Sequence, residues 1–505
     1  MKRKVSVCAG VMAAMVAMSA GAEESKGAEQ APVPAVGTDG GAAEAAPAVE
    51  GPGVERAMAA PPLVEAAAVG NTSTEPAATA AADAPTVVQA QAKTEGEEVH
   101  VPFSFTVVPG LSTSGFSQRN QVHDVSIGLV ATQAKRIRAL GVSLGGNFVG
   151  EGGSSGVLAT TGINVSQGPV NGSLFAVGAN IVTKDAEGLL ASVGANIVRG
   201  NATGVLATVG ANVVTGTVDG SQLSVGANMA TGKVLGAQLS VGGNLAGESL
   251  NGLQMAVGGN VARGVSRGVQ MAAGVNVAPD LTGLQMSSGV SYAGKLSGAQ
   301  VSIINVGGSV EGAQVGLVNV ASRIDGAQVG LVNVAGETQG ESVGLLSFVG
   351  NGQAHVQVWA SDIALTNVSL KLGGRHLYTV LNVGLTPPMD GDRRRYTTGV
   401  GIGGHIPLGR FFVDMDLMGS SVHANRLFDF DDDTNHVLGQ LRLMAGWQVA
   451  RRFAVFGGVS ANTLVTWNGS DPWKELGIGP EWKETSDSGR TIVRTWPGVL
   501  AGIQL

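Results

Sequence analysis

Glycine recurs at a nearly constant interval through the middle of this 505-residue chain. A short, fixed period is the signature of a tandem repeat protein, in which one supersecondary unit is stacked many times. Stacked repeats form extended surfaces more often than catalytic clefts, so the pattern constrains architecture more strongly than activity. The series runs at sixteen residues through Gly156, Gly172, Gly188, Gly204, Gly220, Gly236, Gly252 and Gly268, at fifteen through Gly283 and Gly298, and at fourteen through Gly312, Gly326 and Gly340.

The residues of one repeat alternate with a period of two. In the repeat GSQLSVGANMATGKVL, which begins at Gly220, one set of alternate residues is Leu223, Val225, Ala227 and Met229, and the other is Gln222, Ser224, Gly226 and Asn228. This period indicates a β-strand and excludes a helix. The common α-solenoids also need longer units, of about 33 to 47 residues.

Two β architectures fit these repeats. Each repeat is either one coil of a narrow β-solenoid, with coils stacked about 4.8 Å apart, or one strand and turn of an antiparallel meander or transmembrane barrel. The uniform spacing and the scarcity of aromatic residues between 141 and 345 favour a solenoid of about thirteen coils. Glycine and asparagine are then expected at corners. Aligned asparagines are expected to form a hydrogen-bond ladder: Asn180, Asn196, Asn212, Asn228, Asn244, Asn260 and Asn276.

The N-terminal part of the chain has a different composition. Residues 1–22 fit a signal peptide, with Lys2, Arg3 and Lys4 before an apolar run that ends in an A-x-A site. Residues 23–98 are rich in Ala and Pro and lack core-forming residues, which predicts a disordered tether. We expect an N-terminal β segment or cap at 99–140, tandem β repeats at 141–352 and an antiparallel β-domain at 353–505.

The last of these segments alternates more sharply than the repeats. Phe411, Val413, Met415 and Leu417 share one face of a strand, and Asp414 and Asp416 share the other. Short connections alternate with long ones, which is typical of an outer-membrane barrel. In a barrel Asp414, Asp416 and Arg442 would face the lumen. In a soluble sheet that caps the solenoid they would face solvent.

The repeats resemble a family of bacterial surface repeat-containing proteins. The resemblance rests on GAQVGLVNVASRIDGAQVGLVNVAGETQG, on the following ESVGLLSFVGNGQAHVQVWASD and LKLGGRHLYTVLNVG, and it covers about 100–505. It implies an envelope or surface location in a Gram-negative bacterium. The resemblance assigns no catalytic residues in this chain.

Candidate chemistry is sparse. No histidine lies in the repeats, and the charged residues there, such as Lys184, Asp219, Lys233, Glu248, Arg263 and Lys295, look singly scattered. The loop residues Asp429, Asp431, Asp433 and Asn435 alternate as calcium ligands do, but Thr434 and Gln440 replace the glycine and glutamate of an EF-hand. A solvated acidic loop is favoured, and we assign no catalytic, cofactor-binding or metal residues.

The sequence therefore predicts a non-enzymatic protein of the cell envelope with a structural or adhesive role. One alternative is an outer-membrane barrel that carries an appended repeat domain and forms a small pore. A second is a solenoid that binds polysaccharide or ice. The outer membrane and envelope polysaccharide are the candidate partners, no specific protein partner is indicated, and a net charge of -7 without a basic patch argues against nucleic acid.

Overall fold

The chain folds as a parallel β-solenoid followed by a closed antiparallel β-barrel, and the all-β fold class predicted from the sequence is confirmed. The computed structural model describes residues 98–116, 118–388, 394–424, 427, 436–467, 469, 473–474 and 476–505. No helix occurs in these ranges. The predicted signal peptide at 1–22 and all but the last residue of the predicted tether at 23–98 lie outside them.

The solenoid has about 14 coils. A sixteen-residue coil contains one seven-residue and one four-residue strand, and both pair in parallel with the equivalent strands one coil away, so that Gly220 aligns with Gly236 and Asn212 with Asn228. This parallel register excludes the antiparallel meander. The first strands are β1 (Val99–Val108), β2 (Leu111–Ser112), β3 (Gln121–Gly128), β4 (Ala131–Ser143), β5 (Gly146–Ser154), β6 (Val157–Thr160), β7 (Ile163–Ser166), β8 (Val170–Ala176), β9 (Ala179–Val182), β10 (Ala186–Ser192) and β11 (Ala195–Val198).

The later coils continue this pattern until the repeat shortens. From Val275 the backbone stays extended through several coils, because the shorter repeats keep their β pairing through the corners. The remaining solenoid strands are β12 (Ala202–Thr208), β13 (Ala211–Val214), β14 (Val218–Ser224), β15 (Ala227–Ala230), β16 (Val234–Ser240), β17 (Gly243–Ala246), β18 (Leu250–Ala256), β19 (Gly259–Ala262), β20 (Val265–Ala272), β21 (Val275–Thr338), β22 (Glu341–Val343) and β23 (Leu346–Val349).

The N-terminal strands belong to the same stack. β1 pairs in parallel with β3, and β3 pairs in parallel with β4, so residues 99–140 continue the coils toward the N-terminus. β2 folds back antiparallel on β1 and covers part of its outer edge. An uncovered edge strand would offer unpaired backbone groups to another chain, and this short hairpin limits that exposure.

Each complete sixteen-residue coil directs four side chains into a thin core. In the coil that begins at Gly220 these residues are Gln222, Asn228, Ala230 and Val234, and all four are buried. The expected asparagine ladder is present: Asn212 Nδ2 donates to Asn228 Oδ1 at 2.8 Å, and the contact repeats along the stack. The corner position expected for the asparagines and for the glycines that begin the repeats is wrong: Gly220 lies inside β14, and the asparagines lie inside the short strands and point into the core. In the core, each asparagine amide donates hydrogen bonds to buried backbone carbonyls, which apolar side chains could not do.

A second ladder of glutamines lies beside the asparagines. Gln238 Nε2 donates to Gln222 Oε1 at 2.7 Å, and the contact recurs in each coil as far as Gln328. The glutamine donors point toward the N-terminal coils, whereas the asparagine donors point toward the C-terminal coils. The two rows of amide dipoles therefore run in opposite directions. Both ladders use side chains that are fully hydrogen-bonded only when stacked, which fixes the register of each coil on the next.

The glycine at the start of each repeat is required by backbone geometry. Gly220 has φ of 135°, and a Cβ at this position would lie 2.1 Å from the carbonyl oxygen of Gly204 in the preceding coil. Side chains rarely adopt this φ, and the contact leaves no room for a methyl group. The sixteen-residue period of the sequence thus marks a column of close backbone contact between coils.

The C-terminal domain is a closed barrel of eight antiparallel strands. The first strand pairs with the last through Gln357 and Gln504, which closes the sheet. The strands are β24 (Gln353–Ser361), β25 (Thr366–Gly373), β26 (Leu377–Thr386), β27 (Arg395–Leu408), β28 (Phe411–Ala424), β29 (His436–Ala450), β30 (Phe453–Thr466) and β32 (Ile492–Gln504), and a short strand, β31 (Trp482–Thr485), pairs with β32 outside the closed ring.

Candidate functional site

The barrel wall is apolar outside and polar inside. On β28, Met415 and Leu417 are more than half exposed on the outer face, whereas Asp414 and Asp416 between them are buried in the lumen. On β29, Leu443 is likewise exposed outside, and Arg442 beside it is buried. A half-buried sheet of a soluble protein has the opposite arrangement, with its apolar face inside.

None of the outward-facing positions of the eight barrel strands carries Asp, Glu, Lys or Arg. They carry mainly Val, Leu, Ile, Ala and Gly. Exposed aromatic side chains lie toward both ends of this apolar wall, with Phe411 and Trp447 stacked near one end and Trp467 and Trp482 near the other. An uncharged band between aromatic residues is the exterior that transmembrane barrels present to lipid.

The lumen is held together by two buried ion pairs. Arg442 binds Asp416 through two hydrogen bonds, Nε to Oδ1 at 2.6 Å and a terminal nitrogen to Oδ2 at 2.9 Å, and Tyr378 donates to the same carboxylate at 3.0 Å. Lys371 Nζ lies 2.6 Å from Asp414 Oδ2. Each acid therefore faces a cation, and neither charge is left unpaired in the interior.

Further contacts extend this network across the lumen. His405 Nδ1 lies 2.6 Å from Asp414 Oδ1. Lys371 also lies 4.0 Å from the centre of the Tyr378 ring, and Arg442 lies 4.8 Å from that of Trp359. Arginine and lysine over aromatic faces gain a cation–π attraction that is strongest where water is absent. An eight-stranded barrel is just wide enough for such side chains to fill it.

The mouth of the barrel at the end of the long loops is also packed. Trp473 and Leu476, from the connection between β30 and β32, are buried against Trp496. Arg494 donates to the backbone carbonyls of Trp473 and Leu476 and to the carboxylate of Glu481, which fixes this segment over the opening. Together with the ion pairs, this packing fills the lumen from its middle to the long-loop end. A cavity of about 220 Å³ beside His405 and Gln504 lies at the short-turn end.

The two ends of the barrel differ. The connections 374–376, 409–410 and 451–452 are short and lie at the end where the solenoid joins. Of the four connections that begin at the other end, 387–394, 425–435 and 467–491 are long and 362–365 is short. The alternation of connection lengths that the sequence predicted is therefore present. Glu341 in the last solenoid coil accepts hydrogen bonds from the backbone N–H groups of His376 and Leu377 in the first short turn. The solenoid is thus attached on the short-turn side.

The charged residues of the repeats occupy one edge of the solenoid, which corrects the expectation that they are scattered. Counted from the glycine as position 1, every charged residue between Gly156 and Gly340 falls at positions 12 to 16, at the corner that leads into the next coil. Positions 4 to 6, at the opposite edge, carry none. The sequence contained this signal, but it emerges only when the residues are placed on a common repeat frame.

The candidate residues from the sequence are placed as follows. Asp414, Asp416 and Arg442 come together in the lumen, as expected for a barrel. Lys371, Tyr378 and His405 complete that cluster and were missed, because they come from other strands and only the barrel closure brings them near. Asp429, Asp431, Asp433 and Asn435 lie outside the described residues, so their calcium ligation stays untested.

No protein-family model matches the sequence, no curated protein is significantly similar to it, and no solved structure matches its fold significantly. Across the described ranges, no helix is long and apolar enough to span a membrane. In the same part of the chain, His, Cys, Asp and Glu side chains form no group of three or more that could hold a metal ion.

Proposed function

We propose that the protein is a non-enzymatic component of the bacterial outer membrane, in which the barrel is inserted in the bilayer and anchors the solenoid as an interaction surface. The observation that carries this proposal is the inverted barrel wall. Its lipid-facing positions are uncharged, and its charges, Lys371, Asp414, Asp416 and Arg442, are paired in the lumen. A soluble cap for the solenoid has no physical reason to expose such a band.

The position of the solenoid suggests its compartment. Outer-membrane barrels have short turns on the periplasmic side and longer loops outside the cell. Because the solenoid joins at the short-turn end, we place it in the periplasm, where envelope polysaccharide is a candidate partner. This placement favours a structural role within the envelope over adhesion to other cells.

A pore is the less favoured alternative. The ion pairs of the lumen and the packed mouth around Trp473 leave side chains where a channel would need water. Conducting barrels keep an open aqueous interior, which needs more strands than eight or a less filled lumen.

A pair of arginine substitutions tests the membrane insertion. Leu443→Arg places a charge in the middle of the proposed lipid-facing band, and Ile478→Arg places one at an equally apolar, exposed residue in a loop. In the bilayer, we expect Leu443→Arg to lower the free energy of unfolding by about 2–4 kcal/mol and Ile478→Arg to change it by less than about 0.5 kcal/mol. Equal, small effects in both variants would contradict the proposal.

Cell fractionation provides the second arm of this test. The wild-type protein should require detergent for extraction from the envelope and should change its gel mobility on heating, as folded barrels do. Protease added to intact cells should cut the long loops, such as 425–435, and leave the solenoid uncut. Release of the protein in soluble form without detergent would instead favour a cap.

A further inference from the structure

An apolar stripe runs along one edge of the solenoid. Its outermost column is position 6, where the valine and leucine side chains are about half exposed, and Ala273 and Ser288 interrupt this column in two successive coils. The column continues through the shorter repeats to Leu317, Leu331 and Leu345, next to the barrel. In the sixteen-residue coils it comprises Val177, Val193, Val209, Val225, Val241 and Val257, with exposed fractions of 55%, 52%, 53%, 53%, 52% and 57%.

A groove lies beside this column. Position 4 forms a second ridge of large residues, including Leu239, Met255 and Met271, and position 5 between the two ridges carries small residues such as Ser240 and Ala256. The groove between the ridges has a volume of about 890 Å³ and extends over coils from Ala207 to Val301. The valine ridge and the groove run in the same direction along the solenoid, and both repeat once in each coil.

The stripe is large enough for a stable protein interface. Coils stacked about 4.8 Å apart make the stripe from Val177 to Leu345 about 50 Å long. A two-fold contact that seats position 6 of each copy in the position-5 groove of the other covers positions 4 to 7, a width of about 10 Å. Two copies packed in this way would bury on the order of 1,000 Å² in total, at the lower limit for a specific interface. Exposed apolar areas of this size mark interaction sites.

We propose that this stripe is the interface with a second copy of the chain. The valine ridge of each copy fits into the groove of the other, which is the self-complementary contact that a two-fold axis requires. The charged edge, at positions 12 to 16, then faces away from the partner.

The orientation of the pair rests on the proposed function. Two barrels inserted in one membrane in the same direction are related by an axis along the membrane normal. Coils of the same number then meet at the same height, and each position-6 valine lies beside its own counterpart. An antiparallel pair would place the barrels at opposite ends, which one membrane cannot accommodate.

Cysteine cross-linking tests this arrangement. The only cysteine is Cys8, so Cys8→Ser gives a background free of thiols. In that background, Val193→Cys and Val257→Cys should each form disulfide-linked dimers on mild oxidation of native membranes. Lys233→Cys, exposed on the charged edge, is the matched control and should stay monomeric, because a disulfide needs Cβ atoms within about 4.5 Å.

Co-expression of two tagged forms tests the register. Val193 and Val257 are four coils apart, or about 19 Å, so a form with Val193→Cys should not cross-link to a form with Val257→Cys. A mixed cross-link would overturn the equal-height arrangement. Gel mobility before and after heating, measured on the same samples, shows separately whether the barrel has inserted.

A disruption variant completes the experiment. Val225→Asp combined with Val241→Asp places two charges in the stripe at exposed sites, where the fold tolerates them. We expect the wild type to have the mass of a dimer in detergent and this variant to have the mass of a monomer, with unchanged circular dichroism. A monomeric wild type that forms no cross-link at Val193 or Val257 would overturn the proposal and leave a lipid or the chain's own 23–98 segment as the occupant of the stripe.

Discussion

Arg442 and Asp416 form a two-point ion pair across adjacent barrel strands, with hydrogen bonds of 2.6 and 2.9 Å. The two residues face each other directly in the register of β28 and β29. Both are buried, so neither charge can be satisfied by bulk water if the other is removed. This pair therefore makes the stability of the barrel depend on both strands.

A double-mutant cycle measures that dependence. Arg442→Met and Asp416→Leu should each lower the free energy of unfolding by about 3–5 kcal/mol, because each leaves a buried charge unpaired. The double variant should lose less than the sum of the two. Urea unfolding of the purified protein in detergent gives the three values, and additive losses would show that the two side chains act independently.

The glycine column predicts that a glycine-to-alanine substitution destabilises the solenoid at some positions of the repeat and not at others. Gly220→Ala should lower the free energy of unfolding by at least about 3 kcal/mol, because the Cβ meets the Gly204 carbonyl and the φ is strained. Gly243→Ala is the matched control, since Gly243 aligns with Ala227 in the preceding coil and should change stability by less than about 1 kcal/mol. Thermal unfolding followed by circular dichroism compares the two, and similar losses would contradict the role assigned to the column.

The asparagine ladder predicts that replacing an asparagine with alanine lowers the free energy of unfolding only where the asparagine is buried. Asn212→Ala removes the acceptor of one Asn196 N–H and the donor to Asn228 Oδ1 in the core, which should cost about 2–6 kcal/mol at about 1–3 kcal/mol for each group affected. Asn251→Ala, at an exposed site, should cost less than about 0.5 kcal/mol. Hydrogen exchange should rise in the coils on both sides of Asn212, and exchange confined to its own coil would argue against coupling through the ladder.

The buried His123 predicts that the first coils weaken in acid. Burial lowers the pKa of His123 below its ordinary value of 6.5, so the unfolded segment binds a proton at a higher pH than the folded one. Stability is therefore fully present above about pH 6.5 and declines as the pH falls through that value. Exchange of peptides from Gln121–Gly128, corrected for the intrinsic rate, should increase between pH 7.5 and 5.5.

Two comparisons check this prediction. Peptides from Val218–Ser224, which contain no histidine, should show no such increase. His123→Gln should remove the increase in the first coils, because glutamine does not titrate in this range. An acid-induced increase that persists in His123→Gln would assign the effect to another group.

Several features could be predicted from the sequence because they depend on local spacing. The period of the glycines fixed the repeat length, and the alternation at Asp414 and Asp416 gave strands with two unlike faces. The asparagine ladder followed from residues at equal positions in successive repeats. The glutamine ladder from Gln222 to Gln328 had the same signal and was not predicted, because glutamine is common on exposed strand faces.

The chain by itself determined a stack of β repeats and a sheet with one charged and one apolar face, since period and alternation are properties of neighbouring residues. The tertiary structure decided which face is inside. Only closure of the barrel puts Lys371 beside Asp414, and only stacking in parallel register puts every repeat charge on one edge and every position-6 valine on the other. These relationships join residues far apart in the chain, and backbone hydrogen bonding between strands, which local sequence does not specify, brings them together.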